Sequence, residues 1–168
     1  MSEPYDTIIS PQNIEIKVFL LEEEHIDRVY AMEVESYPDA WSKELFLPEI
    51  NNRAGKFFVF FIDNSLIGYA GYWLGGEEAH ITKFTVAPTY RRKGLGTLFM
   101  NYIFKQVKKE DVKKIILEVR ERNYPARCLY EKMGFQTIGT RIGYYSRTRE
   151  NAVVMVLILD DFTDYDTD

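Results

Sequence analysis

Two apolar runs, KFFVFFID over 56–63 and LIGYAGYWLG over 66–75, are separated by only Asn64 and Ser65. Both are rich in aromatic and branched residues, and a two-residue gap between such runs predicts an antiparallel hairpin. That hairpin rules out the regular alternation of a doubly wound parallel sheet, where successive strands need a crossover of about a dozen residues or more.

The rest of the chain arranges itself around it. IEIKVFL (14–20) alternates apolar and polar residues as a half-buried strand does, and AHITKFTVA (79–87) continues the sheet. Residues 22–36 place Ile26, Val29, Tyr30 and Glu33 at helical spacing, and Ser42 opens a short helix over 42–52. At Gly94 the period changes: Leu95, Leu98, Phe99, Tyr102, Ile103 and Val107 form one helical stripe. KKIILEV (113–119) reads as a buried strand. Asn123 then caps a helix with Pro125 in its first turn and Gly134 past its end. Residues 135–145 and 151–159 read as the last two strands. The prediction is a mixed α/β fold of seven strands and four helices, one domain over 14–159. Residues 1–13 read as a loose lead-in, and the acidic stretch 160–168 as a disordered tail.

Charge and composition narrow the function. A formal charge of −5 argues against a binder that neutralises nucleic-acid phosphates over a broad face. No apolar run approaches the roughly 20 residues that span a bilayer, and the N-terminus lacks the pattern of a secretory signal. One cysteine, Cys128, precludes an intrachain disulfide and suggests a reducing compartment, so a cytoplasmic domain is expected.

VAPTYRRKGLGTLFM (86–100) carries the strongest chemical signal. Gly94 and Gly96 let backbone approach a ligand closely, the helix start leaves N–H groups without internal acceptors, and Arg91, Arg92 and Lys93 add charge. The stretch is either a phosphate cradle or a basic turn whose glycines ease the chain into a helix. It is not a P-loop, since that spacing is missing. Glu118 breaks the apolar pattern of IILEV. Desolvation there would raise its pKa and make it a proton acceptor; the alternative is that it reaches solvent or pairs with Arg120 or Arg122. Tyr130 shares an inward stripe with Ala126, Leu129 and Met133, as core packing or as a placed hydroxyl. His25 and His80 have no acidic or cysteine companion at ligand spacing, so no metal site is expected.

These segments resemble the GNAT N-acetyltransferases. The run from Arg91 is similar to their R/Q-x-x-G-x-G/A signature, and LEVRERNYPARCLYEKMGF with GYY…ENAVVM resembles the RimI group, which acetylates protein N-termini. The resemblance implies a mixed sheet splayed between its fourth and fifth strands, with acetyl-CoA as co-substrate. It implies that the backbone of Phe84, Thr85 and Val86 holds the pantetheine and acetyl carbonyl. Arg91, Arg92, Lys93, Gly94, Leu95, Gly96 and Thr97 would take the pyrophosphate, and Asn123 would contact the cofactor. Glu118 matches the general base, acting through a water, and Tyr130 the general acid.

An α-amine is roughly 10–15% neutral at pH 7 against about 0.04% for a lysine, which favours an N-terminal substrate for a single weak base. The resemblance, with this preference, implies a protein N-terminus as partner, a ribosomal protein among the candidates; a monomer is expected. Glu35, Tyr37, Tyr144 and Tyr145 are the expected peptide contacts, between the loop after the first helix and the last hairpin. ESYP (35–38) is closer to the ENYP of Ard1-type enzymes than to the FPWS of bacterial RimI proteins. The rival expectations are a GNAT enzyme for a small amine, such as a polyamine or aminoglycoside, and a non-catalytic acetyl-CoA-binding subunit.

Overall fold

The computed structural model describes residues 2–159. The acidic tail expected over 160–168 lies outside the described residues. In chain order the elements are β1 (Asp6–Ile9), β2 (Glu15–Leu20), α1 (Ile26–Ser36), α2 (Lys43–Phe46), β3 (Gly55–Ile62), β4 (Ser65–Gly75), β5 (Glu78–Val86), α3 (Leu95–Lys108), β6 (Lys114–Arg120), α4 (Tyr124–Lys132), β7 (Gln136–Tyr145) and β8 (Glu150–Ile158). They build one sheet of eight strands in the order β1-β2-β3-β4-β5-β6-β8-β7, antiparallel except where β5 meets β6.

The hairpin is present as β3 and β4, with the connection one residue earlier than expected, at Asp63 and Asn64. Asp63 takes positive φ (49°) there, a conformation that Asp tolerates better than most residues. The aromatic run of β3 is explained by burial on both faces of the sheet. Phe58 and Phe60 pack towards α3, where Phe60 stacks on Phe99 at 3.9 Å between ring centroids. Phe57, Val59 and Phe61 pack with Val29 of α1 and Phe46 of α2 on the opposite face.

Two expectations need correction. The sheet has eight strands instead of seven, because residues 6–9 of the supposed lead-in pair antiparallel with β2. Tyr5 secures this strand by packing on Phe58, at 5.7 Å between centroids. The second helix is also shorter than 42–52: it ends at Phe46 and a 3-10 turn over Leu47–Glu49 follows, since Pro48 cannot donate into a continuing α-helix.

Two irregularities shape the middle of the sheet. In the β4–β5 ladder the register jumps between Gly71 and Tyr72, leaving Thr82 as the extra residue of a bulge. Ala79 and Ile81 face the α3 core before it, and Phe84 and Val86 face it afterwards, so Lys83 and Thr85 turn towards α1. The second is the parting of the sheet. β5 and β6 pair only at Glu78–Lys114, Ala79–Ile115 and His80–Ile116. Beyond His80 they diverge, which is the splay expected between the predicted fourth and fifth strands, here β5 and β6.

Candidate active site

The parting leaves the β6-facing edge of β5 without a strand partner over 82–86 among the described residues. Backbone amides on such an edge suit a ligand that carries amides of its own. Just past that edge the chain turns back, with Arg91 Nε donating to the Val86 carbonyl at 3.1 Å. Gly94 then N-caps α3 with φ 77°, a left-handed conformation, and no side chain caps the helix start. The N–H groups of Leu95, Gly96 and Thr97 therefore stand at the positive end of a 14-residue helix. Arg91, Arg92 and Lys93 are exposed beside them, Leu95 sends its side chain into the core, and Thr97 is exposed. A Cβ on Gly96 would meet Leu129 of α4 at 3.0 Å, so glycine also lets the two helices approach. This donor set fits a pyrophosphate, and the free strand edge fits a pantetheine arm. Asn123 caps α4 by accepting from the Ala126 N–H at 3.3 Å, so its carbonyl oxygen is already engaged.

On the other side of the parting, β6 carries Glu118 with its side chain 7% exposed. It pairs with neither Arg120 nor Arg122. Its Oε2 lies 2.5 Å from His80 Nε2, and Arg141 of β7 stands 3.6 Å from Oε1. In sequence His80 has no acidic companion at metal-ligand spacing; the parallel pairing of His80 with Ile116 brings it one by the fold, placing Glu118, two residues along β6, on the same face. The rise in the Glu118 pKa that desolvation alone would give is corrected. Burial does work to raise it, but the hydrogen bond and charge of His80, with Arg141, outweigh burial and hold it below the ordinary carboxylate value. An ionised carboxylate only accepts hydrogen bonds, so His80 Nε2–H is the donor of the pair.

Tyr130 of α4 is buried, its ring set edge-on to Phe84 of β5 at 6.1 Å and to Phe135 at 5.8 Å. Burial pushes its pKa up and the nearby Tyr37 and Tyr145 hydroxyls add to this, so it stays a protonated phenol. Tyr37, in the loop after α1, reaches the same strand. Its hydroxyl lies 2.6 Å from Thr85 Oγ1 and donates to the Phe84 carbonyl at 3.2 Å. Burial, foremost, raises its pKa to about 12.

Behind Tyr37 lies a group that sequence reasoning missed. Glu33, fully buried on α1, accepts from Lys83 Nζ at 2.8 Å and from the Tyr69 hydroxyl at 3.3 Å. The Lys83 ammonium sits over the rings of Tyr37 and Trp41, at 4.9 and 4.6 Å. The placing of Glu33 on the apolar stripe of its helix was the available signal: a carboxylate there needs a buried cation.

The loop after α1 and the last hairpin meet over the end of β6. Arg120 pairs with Asp39 of the loop and, at 3.2 Å, with Glu150 of β8, and its guanidinium stacks on Tyr145 at 3.9 Å. Arg147 Nη1 donates to the Pro38 carbonyl at 2.9 Å. Tyr144 is half-exposed beside Tyr145 and Arg141. Glu35 is exposed on the last turn of α1, apart from these contacts.

A sheet opened between two parallel strands, next to an uncapped glycine helix start, is the framework of an acetyl-CoA-dependent N-acetyltransferase. The chain belongs to the acetyltransferase (GNAT) family, matched over residues 26–135. It is 35% identical over 138 residues to the ribosomal protein bS18-alanine N-acetyltransferase of Haemophilus influenzae, covering 79% of this chain and 92% of that one. It is 29% identical over 134 residues to an N-alpha-acetyltransferase of Saccharolobus solfataricus, with 72% and 80% covered. Among solved structures, the ribosomal-protein-S18-alanine N-acetyltransferase from Escherichia coli superposes with TM-score 0.78 at 26% identity, covering 89% of this chain and 97% of that one. Ard1 from Thermoplasma volcanium superposes with TM-score 0.79 at 26% identity, covering 85% and 97%.

Proposed function

We propose that this enzyme transfers the acetyl group of acetyl-CoA to the N-terminal α-amine of a protein, a ribosomal protein among the candidate substrates. The observation that carries the reading is the His80–Glu118 pair, set at the mouth of the parted strands beneath the two loops that meet over β6. The names of the bacterial and archaeal relatives support a protein N-terminus as the acceptor.

Acetyl-CoA supplies an activated thioester. The uncapped N–H groups of Leu95, Gly96 and Thr97, with Arg91, Arg92, Lys93 and the Gly94 backbone, hold its pyrophosphate. The edge of Phe84, Thr85 and Val86 aligns the pantetheine and polarises the carbonyl by N–H donation. Tyr37 is a positioning residue that steadies this edge through Thr85 and the Phe84 carbonyl.

Because Glu118 is ionised and accepts from Nε2, His80 Nδ1 is free to take the proton of the attacking amine. Glu118 stabilises the imidazolium that results. The amine nitrogen bonds to the acetyl carbon, the carbon–sulfur bond breaks, and the Tyr130 phenol protonates the departing sulfur. Tyr144 and Tyr145 grip the peptide from the hairpin, the Tyr37 ring faces it from the loop, and Glu35 selects among first residues at the entrance. The enzyme acts as a monomer in the cytoplasm, where the exposed thiol of Cys128 stays reduced.

The test is acetyl transfer to a peptide library varied at its first two residues, run beside polyamines and aminoglycosides and read by mass spectrometry. Peptides are expected to be acetylated at the α-amine. Transfer to the free amines alone would sink the proposal.

A further inference from the structure

The N-terminal turn that completes the eighth strand also touches the cofactor loop. Between β1 and β2 the chain makes a tight turn over Ser10–Asn13. The buried Ser10 accepts at Oγ from the Gln12 N–H at 3.2 Å and the Ile14 N–H at 3.0 Å, and Asn13 adopts φ 61°. Backbone bonds from Ser10 N–H to the Ile14 carbonyl and from Asn13 N–H to the Ser10 carbonyl, both 2.9 Å, close it. The tip of the turn carries Pro11 and Gln12.

Both tip residues meet the loop that opens α3. Gln12 Nε2 donates to the Lys93 carbonyl at 3.0 Å. Pro11 packs against Gly94, so closely that a Cβ there would lie 3.1 Å from Pro11 Cγ. The loop needs such support: Arg92 and Gly94 both take positive φ, 62° and 77°, and for the arginine that conformation is strained. The Lys93–Gly94 peptide is planar and trans, so its C=O and N–H point in opposite directions. Fixing the carbonyl on the Gln12 side therefore fixes the direction of the Gly94 N–H.

We infer that Gln12 is a positioning residue for acetyl-CoA: the β1–β2 turn holds the Lys93–Gly94 peptide in the orientation that receives the pyrophosphate. This rests on the assignment of 91–97 to the pyrophosphate. It gives β1, a strand the chain's own pattern hides, a part in cofactor affinity without contact to the acetyl group or the amine.

The test compares Gln12→Ala and Gln12→Glu with the wild-type chain, using acetyl-CoA and S-acetylpantetheine, which lacks the pyrophosphate. Gln12→Glu keeps the shape but removes the donor and brings a carboxylate towards the phosphates. One hydrogen bond is expected to be worth roughly three- to tenfold in KM for acetyl-CoA, the Glu variant being the worse. Turnover, peptide KM and KM for S-acetylpantetheine should stay as in the wild type. An unchanged KM for acetyl-CoA in both variants would overturn the inference and leave the pyrophosphate assignment standing. Equal losses with both thioesters would overturn it as well, by showing a general structural role. If the wild-type chain itself does not prefer acetyl-CoA to S-acetylpantetheine, the pyrophosphate assignment fails, and this inference with it.

Discussion

The two ends of the site are built on different plans. The proposed cofactor end works through backbone: N–H groups at a helix start and a left-handed glycine within 91–97, and the edge of β5 over 82–86, which has no strand partner on its β6 side among the described residues. The proposed amine end is made of side chains gathered from distant elements: His80 and Glu118 are 38 positions apart, and Arg120 and Asp39 are 81 apart. A backbone site depends on local conformation and tolerates changes of most side chains. A side-chain site depends on the fold to assemble it and fails at single substitutions.

The largest test of that contrast is Glu118→Gln, which keeps shape and removes the charge that supports a protonated His80. Turnover is expected to fall roughly 100- to 1,000-fold while acetyl-CoA affinity, measured by calorimetry, holds. Tyr130→Phe comes next, with an expected loss of about 10- to 100-fold in kcat and little change in KM for acetyl-CoA. A matching loss of cofactor affinity in either variant would erase the division between the two ends.

His80→Ala tests the pH behaviour. In the wild-type chain the Glu118 pKa is lowered, so its ionised form, and the stability this contributes, is fully present above the ordinary carboxylate value and is lost as pH falls through the lowered one. A rise of kcat/KM near neutral pH is therefore expected to report groups other than Glu118, foremost the substrate amine, near pKa 7.8 by its ordinary value. Without His80, burial dominates, and Glu118 takes up its proton at higher pH than in the wild type. The folded variant then binds that proton more tightly than its unfolded chain, so the stability it has lost relative to the wild type is largest at neutral pH and should shrink as the pH falls, read by denaturant titration followed by circular dichroism. The smallest effect is expected from Tyr37→Phe: about 1 kcal/mol of stability, read by denaturant titration, with KM for acetyl-CoA raised a few-fold at most.

The same contrast explains what could be read from the sequence. The period change at Gly94 and the two-residue hairpin are local, so the glycine loop that opens α3 and the centre of the sheet were legible. Glu118 stood out because a carboxylate interrupts an apolar strand. Its pKa was misjudged because the partners that lower it, His80 and Arg141, arrive only through sheet pairing. Lys83 was hidden for a similar reason: the bulge at Thr82 turns it towards Glu33, and nothing in AHITKFTVA announces a bulge. β1 was hidden because four residues flanked by prolines form a strand only when β2 and Phe58 are there to receive them.

β3 has a consequence of another kind. Its neighbouring side chains belong alternately to the cores on the two faces of the sheet, Phe60 to one and Phe61 to the other. Neither layer can loosen without withdrawing a strand on which the other depends. α3 on one face and α1 and α2 on the other are thus coupled through one extended segment, and the molecule is expected to melt as a single cooperative unit.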